Sequence, residues 1–446
     1  MNIDKYNIPI PRYTSYPTVP FWNNKDFTVE GFEQTLQTSY WAGSKDVSLY
    51  IHLPFCESLC TYCACNTRIT KNHSVEEPYI DYLLKEWSLY IERLPDIPRV
   101  REIHLGGGTP TFFSAANLEK LIKGILEKAT TSEDVSMSFE GHPANTTKEH
   151  LRLLNQLSFD RLSLGIQDFD PMVQKLINRT QTFDEVKTVT EQARDLGYSS
   201  VNFDMVYGLP GQNLNSLNET LDKLALLLPD RIAYYSYAHV PGLKPAQKSY
   251  EHYLPGAEQK HLFKQIGKNR FQKLGYEEVG MDHFVKPQDE LMLALEAGQL
   301  HRNFMGYTPF PGKLVIGLGV SAISDSWTGF AQNVKNVEAY YELLDAGSMP
   351  IIKGHLLTRE DLFIRQQILN LMCKFQTTWS ESELLEFGLS TNYQLLEMLA
   401  AEGYIELSDN GVVVLLEGKD LLRVICSAFD ARLNNSGKAP QFSSSV

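Results

Sequence analysis

Tyr50-Ile-His-Leu-Pro-Phe-Cys-Glu-Ser-Leu-Cys-Thr-Tyr-Cys-Ala-Cys65 is the stretch on which the reading of this chain turns. It grows out of an apolar run, Leu49 to Phe55, of the kind that forms a buried strand, and the cysteines follow at once. Cys56, Cys60 and Cys63 are spaced C-x3-C-x2-C. Thiolates this close together, on a loop leaving a strand, can converge on one metal centre, and soft sulfur donors suit zinc or an iron–sulfur cluster. A structural zinc site needs a fourth ligand and usually shows paired C-x2-C knuckles. Cys65 offers a further thiolate, but a single residue separates it from Cys63, an awkward geometry for joint ligation, so it stays outside the ligand set. Plain buried thiols are the remaining alternative.

The rest of the composition fits a metal-holding enzyme. With 446 residues the chain exceeds a usual single domain and can bury a large core with appendages. Its six cysteines, four of them within ten positions, do not form a secreted disulfide framework. Cys373 and Cys426 lie in apolar helical patterns and read as core. A formal charge of −13 argues against a nucleic-acid surface. The N-terminus is polar and proline-rich without an apolar signal core, and no segment is long enough to span a membrane. The expectation is a soluble, monomeric protein of a reducing compartment, the cytoplasm.

On either side of the cysteine loop, strand and helix patterns alternate. Strands are expected at Ser48–Pro54, Val100–Leu105, Val135–Glu140, Arg161–Gln167, Ser200–Tyr207 and Arg231–Ala238. Helices are expected at Tyr79–Leu94, Asn117–Lys128, Lys148–Gln156, Phe183–Leu196, Leu217–Leu228 and Ala257–Leu274. Repeated βαβ units imply an α/β fold with a parallel sheet and right-handed crossovers. Periodicity does not separate a partial barrel from an open, doubly wound sheet. In both, chemistry belongs at the C-terminal ends of the strands.

Polar and glycine residues collect at those ends: the cysteine loop, Gly106-Gly-Gly-Thr-Pro110, Glu140-Gly-His-Pro143, Gln167-Asp168, Asp204 with Tyr207-Gly-Leu-Pro210, and Tyr237-Ala-His-Val-Pro241. Glycines at a strand end let a ligand approach the backbone, and exposed amides bond its polar groups. Glu140 and Asp204 can accept bonds from hydroxyl or ammonium groups, and Arg179 can pair bidentately with a carboxylate. The plainer reading of Arg179 is a solvated surface side chain. Asp204, inside the run Val201 to Val206, reads as buried and in need of a partner.

The cysteine spacing resembles that of the radical S-adenosylmethionine (SAM) enzymes, and the whole chain resembles the oxygen-independent coproporphyrinogen III oxidases. The markers are Pro11-Arg-Tyr-Thr-Ser-Tyr-Pro17, Tyr50 to Cys65, Gly106 to Pro110, Arg161-Leu-Ser-Leu-Gly-Ile-Gln-Asp-Phe169, Asn178-Arg179, Tyr207 to Pro210, Gly280-Met-Asp-His-Phe284, His301-Arg-Asn-Phe304 and Gly319 to Ser324. The resemblance implies a partial (βα)6 TIM-like barrel. It implies oxidative decarboxylation of two propionates of coproporphyrinogen III to vinyl groups, with an external electron donor and acceptor. By the same resemblance Cys56, Cys60 and Cys63 hold a 4Fe–4S cluster. Tyr50, Tyr62, Gly107, Gly108, Thr109, Glu140, Gln167, Arg179, Asp204, Ala238 and Ile323 fall where the family contacts SAM, with Tyr62, Gly108 and Ile323 nearer a second SAM. Three places depart from the family's pattern: His142, where an acidic residue or Asn is expected; Met305, where some members have Gln; and the apolar stretch Thr308-Pro-Phe-Pro-Gly312. The second SAM site and the substrate mouth are where these departures are expected to tell.

Coproporphyrinogen carries carboxylates on an apolar macrocycle, so its site needs cations beside aromatic surface. Arg12, among Tyr13 and Tyr16, and Arg302, beside His301 and Phe304, are the candidate propionate anchors, with surface salt bridging as the alternative. The domain reading is a substrate-proximal segment at 1–45, the barrel and its extension at 46–356, a small winged-helix-like, mostly helical domain at 357–433, and a mobile tail at 434–446. The C-terminal domain reads as helix Leu362–Cys373, helix Asn392–Glu402, a hairpin turning at Asn410-Gly411, and helix Glu417–Arg432. Its acidity suits a lid or scaffold better than a DNA reader. Residues 1–18 precede the first βα unit and are expected to be unnecessary for forming the cysteine loop. Two other readings share that loop: a related radical SAM haem-utilisation enzyme or haem chaperone, and a non-catalytic metal-binding scaffold.

Overall fold

The computed structural model describes residues 3–387, 392–435 and 442–443. Its centre is a run of parallel strands: β1 Asp46–Leu53, β2 Arg99–Gly107, β3 Thr130–Gly141, β4 Arg161–Gln167, β5 Ser200–Tyr207 and β6 Arg231–Ser236. Each pairs in parallel with the next in chain order. Helices Glu76–Arg93, Ala115–Leu126, Lys148–Gln156, Phe183–Asp195 and Leu214–Leu227 lie between them, and Ala257–Lys273 follows β6. An order that runs from β1 to β6 without reversal is the winding of a barrel; a doubly wound sheet would turn back at a switch point. The barrel stays open. On its outer side β1 pairs in parallel with Val315–Leu318, and β6 pairs antiparallel with His283–Val285. Antiparallel strands Ile323–Asp325, Gly329–Asn333 and Ile351–Leu356 extend the sheet beyond Val315–Leu318, and Glu277–Glu278 extends it beyond His283–Val285, to 12 strands in all. The partial (βα)6 barrel expected from the resemblance is the observed architecture.

Strand alternation explains which side chains face inward. Leu49, Ile51 and Leu53 of β1 are fully buried in the large apolar core. Tyr50 points the other way and stacks on His104 of β2, ring centres 6.0 Å apart. Glu102, His104, Ser138, Glu140, Ser163, Asn202 and Asp204 line a barrel cavity of about 170 Å³. Barrels of this kind are ordinarily filled by branched apolar side chains, so a polar interior marks a place built for a ligand.

A second apolar core joins three stretches far apart in sequence. Tyr6, Ile10, Tyr13 and Tyr16 pack with Val279, Leu291 and Leu300 and with Phe363, Leu371, Cys426 and Phe429. Tyr13 donates to Asp430 at 3.1 Å. The N-terminal segment is therefore part of the fold of the C-terminal portion. Cys373 and Cys426 are buried there, as expected.

The C-terminal portion has the expected helices and hairpin, adds a strand at Gln376–Thr378 and a helix at Glu381–Phe387, and breaks its last helix. It comprises Arg359–Lys374, Gln376–Thr378, Glu381–Phe387, Tyr393–Ala401 and the hairpin Ile405–Ser408 and Gly411–Val414. In place of a single helix over Glu417–Arg432 there are a 3-10 turn Leu416–Leu421 and helices Leu422–Ala428 and Ala431–Asn434. Gly418 lies in that turn, where a side chain would collide with the Tyr404 carbonyl. Of the expected mobile tail, Asn434 ends the last helix and Ser443 accepts from Ile10 N–H at 3.2 Å; residues 436–441 and 444–446 lie outside the described residues.

The stretch Thr308 to Gly312 runs from the barrel cavity, which Thr308 borders, to the N-terminal ends of the strands. Thr308 Oγ1 donates to Glu102 at 3.3 Å, Phe310 lies 4.4 Å beneath Arg101, and both Pro309 and Phe310 border a cavity with Arg161 and Arg231. Those partners mark the N-terminal ends of β2, β4 and β6, the face opposite the cysteine loop. Among the described residues no helix is long and apolar enough to cross a membrane.

Candidate active site

The cysteine loop is tied to the protein by its own backbone and side-chain hydrogen bonds. Phe55–Cys56 pairs in parallel with Arg68–Ile69, and Cys63 N–H donates to the Cys60 carbonyl at 3.1 Å. His52, 5 % exposed, lies 2.8 Å through Nε2 from the Asn66 carbonyl. A carbonyl only accepts, so Nε2 carries the proton and Nδ1 accepts from the Tyr50 hydroxyl at 3.1 Å. Burial keeps the His52 pKa below the ordinary value, which favours this neutral tautomer. His52 thus ties the far end of the loop to β1.

A cavity of about 530 Å³ opens at the C-terminal ends of β1 to β5. Its wall brings together Cys56, Cys60 and Cys63 with Tyr62, Gly107, Gly108, Thr109, Glu140, Gln167, Arg179 and Asp204. The glycines are there for geometric reasons. Gly107 has φ +110°, and a side chain on it would sit 2.7 Å from the His52 ring. One on Gly108 would meet the Pro54 carbonyl at 2.7 Å. Thr109 Oγ1 lies 3.3 Å from Cys56 Sγ, and Arg179 Nη1 donates to Cys60 Sγ at 3.7 Å. Arg179 is fixed from behind: Nε donates to the Gly165 carbonyl at 3.1 Å and Nη2 to the same oxygen.

The carboxylates of the wall differ in environment. Glu140 accepts from Gly107 N–H at 3.2 Å and lies 3.4 Å from His104 Nε2, with 42 % of its side chain open to the cavity. Burial raises its pKa, but His104 and the Gly107 N–H outweigh this and hold it below the ordinary range. Asp204 accepts from Asn202 at 2.9 Å and Ser163 at 3.2 Å, and burial with the Glu140 charge pushes it up to about 6. Burial pushes the Cys56 thiol up to about 11, while a hydrogen bond with Cys65 holds Cys63 below the usual thiol value. Three half-buried free thiols on one cavity wall, with a guanidinium beside them, are a donor set that fits an iron–sulfur cluster. Among the described residues no group of three His, Cys, Asp or Glu side chains is arranged to hold a single ion. Thiolates that each hold a different iron of one cluster stand farther apart than ligands sharing one ion.

Five expected residues lie outside this wall. Tyr50 sits just behind Glu140, both against Gly106. Ala238 lies past the end of β6, its carbonyl taking Gln247 Nε2 at 3.2 Å. Ile323 is on the strand beyond Val315–Leu318 and pairs with Gln332. Arg12 donates to the Ser236 carbonyl at 3.0 Å, reaches Asp282 at 3.4 Å and lies 5.6 Å over Tyr235. Arg302 is buried 4.5 Å over the Tyr307 ring, and its Nε and Nη1 have no hydrogen-bond partner among the described residues. Met305 and Tyr307 border the barrel cavity, which shares Glu140 and Asp204 with the thiol cavity. His52 and His104 escaped the sequence reading. The alternating polar positions Glu102 and His104 on a central parallel strand were the available signal, since such strands are normally apolar on both faces.

The sequence pattern of the radical SAM superfamily matches residues 50–224. The oxygen-independent coproporphyrinogen III oxidase of Synechocystis sp. is 38% identical over 100% of this chain and 97% of its own length. This chain belongs to the oxygen-independent coproporphyrinogen III oxidase family. The oxidase of that name from Escherichia coli is 36% identical, over 99% of this chain and 97% of the relative. A solved coproporphyrinogen III oxidase from Escherichia coli, described as a radical SAM enzyme, superposes with a TM-score of 0.88 at 36% identity, covering 94% of this chain and 97% of that one. As a radical SAM oxidase, the chain takes a 4Fe–4S cluster and SAM as its cofactors.

Proposed function

We propose that this oxidase converts two propionate side chains of coproporphyrinogen III to vinyl groups, giving protoporphyrinogen IX. The observation that carries the reading is the thiol-lined cavity at the C-terminal strand ends, in a chain that matches its relatives over its full length. Cys56, Cys60 and Cys63 are the proposed cluster ligands. When bound there, the cluster and SAM supply a 5′-deoxyadenosyl radical that takes a hydrogen atom from the propionate β-carbon. Losing CO2 and one electron leaves the vinyl group, so an external electron acceptor is needed as well as a donor. Arg179, fixed on Gly165, would clamp the SAM carboxylate; Glu140 and Asp204 would take its ammonium and ribose hydroxyls; Gly107, Thr109 and Gln167 would shape the wall. Tyr50 and Ala238 are proposed to back this site. A second SAM is proposed near Tyr62, Gly108 and Ile323, supported for the first two by their place on the cavity wall.

Arg12 beside Tyr235, and Arg302, whose Nε and Nη1 have no hydrogen-bond partner among the described residues, are the proposed propionate anchors. A buried cation without a carboxylate is costly, and an incoming propionate would relieve it. The domain scheme carries the same proposal: segment 1–45 near the substrate, barrel and extension to 356, and 357–433 as cover. The cytoplasm as location and a monomeric state remain part of this reading. Neither a haem chaperone nor a non-catalytic scaffold accounts as well for a polar barrel cavity adjoining the thiols. The test is an anaerobic assay with reductant, SAM and coproporphyrinogen, read by product mass. Two carboxyl groups should be lost as CO2; an unchanged porphyrinogen in cluster-loaded, SAM-cleaving protein would sink the reading. Arg12→Ala and Arg302→Ala should lower turnover about tenfold or more while leaving substrate-free SAM cleavage nearly intact. Equal loss of both activities would place these arginines in the fold instead.

A further inference from the structure

The proposed function gives His142 no task. It follows β3 and stands on the wall of the thiol cavity, close enough to Arg179 to feel its charge. The ring is locked in a turn. Nδ1 accepts the Ala144 N–H at 3.2 Å, while the His142 carbonyl takes Asn145 N–H at 2.9 Å and Thr146 N–H at 3.0 Å. An accepting ring nitrogen bears no proton, so in the neutral ring Nε2 bears it. Burial, with the Arg179 charge beside it, holds the pKa of His142 down to about 3, which favours the neutral ring. Among the described residues that Nε2–H has no acceptor. An acidic side chain here would repel an anion held by Arg179, and an Asn would spend its oxygen on the turn. A histidine keeps the turn with one nitrogen and offers a donor with the other.

We propose that His142 Nε2–H is a second donor to the carboxylate of SAM, acting alongside the Arg179 guanidinium. The proposal rests on the cofactor reading above. Arg179 already commits Nε and Nη2 to Gly165 and points Nη1 at Cys60, so a further donor on the same wall completes the carboxylate's hydrogen bonding.

The experiment uses anaerobically reconstituted, cluster-loaded protein and measures the dissociation constants of SAM and of decarboxylated SAM. In His142→Asn the Asn oxygen can still serve the Ala144 N–H, but the far donor is gone. Its Kd for SAM should rise roughly fivefold, the worth of one hydrogen bond, and its Kd for decarboxylated SAM should not change. His142→Gln, whose amide reaches about as far as Nε2, should stay within about twofold of the parent for SAM. Iron content and melting temperature of each variant check the fold. Unchanged SAM affinity in His142→Asn would overturn the proposal. So would an equal loss for both ligands, which would mark a turn residue only, or a fivefold loss in a folded His142→Gln. A parent protein that loads iron but binds no SAM would overturn the cofactor reading itself, an outcome distinct from all of these.

Discussion

Asp204 accepts hydrogen bonds from Asn202 and Ser163, yet burial and the neighbouring Glu140 push its pKa from the ordinary 3.8 to about 6. The native state therefore binds this proton more tightly than the unfolded chain does. Its contribution to stability is present below the ordinary value and is lost as pH rises through about 6. Asp204→Asn should raise the melting temperature by on the order of 2 °C at pH 7.5 and by nothing measurable at pH 3.5. The same change should weaken SAM binding about tenfold, because a charged acceptor for hydroxyls is lost. Melts at both pH values with a SAM titration test this, and an equal gain at both would show a packing effect. Cys56→Ala, Cys60→Ala and Cys63→Ala should each abolish the cluster's visible absorption and SAM cleavage, whereas Cys65→Ala should keep the cluster. A SAM-cleaving Cys60→Ala protein would remove the basis of the ligand assignment. At this scale the cysteines were legible because their chemistry demands short spacing. His52 was not, because its partner Asn66 lies across a loop and no local pattern marks a histidine that serves as a tie.

Elements were legible where a period and a cap coincide. Lys148–Gln156 begins at a capping box on Thr147, and its expected and observed bounds agree. β3 begins earlier than its apolar pattern, at Thr130, because its exposed first residues pair with Arg99 and Val100 rather than enter the core. The hairpin was legible from its Asn-Gly dipeptide, but its turn residues are Asp409 and Asn410, one position earlier, with Gly411 already paired to Ser408; the close approach of Gly418 to the Tyr404 carbonyl is a contact that local sequence does not encode. The N-terminal segment was the largest surprise. Its tyrosines suggested a ligand surface, and Tyr6, Tyr13 and Tyr16 are 1%, 4% and 2% exposed in the second core. Removing residues 1–18 should therefore expose the C-terminal portion's apolar face and lower the melting temperature by about 10 °C or more, or leave the protein insoluble. A deletion variant with the parent's melting temperature would show that the two stretches pack without depending on each other.

The whole molecule combines an apolar shell with a polar barrel interior that opens onto the thiol cavity. The alternation of strands and helices made the α/β class legible and the resemblance supplied the partial barrel; which distant strand claims the free edge of β1 was not legible, because that pairing joins stretches far apart in sequence. That edge belongs to Val315–Leu318, with Ser48 beside Val315 and Ile51 beside Leu318. At about 5–20 residues per second, a ribosome needs on the order of tens of seconds between making these two stretches. Through that interval the strand from which the cysteine loop hangs has a neighbour on one side only. The expectation is that iron loads late in the life of each new chain, after the edge is filled. Chains released before residue 315 should hold less than about a tenth of the full chain's iron after identical reconstitution, although every cysteine of the loop is present. Full loading of such a chain would mean that the loop matures on a half-built sheet.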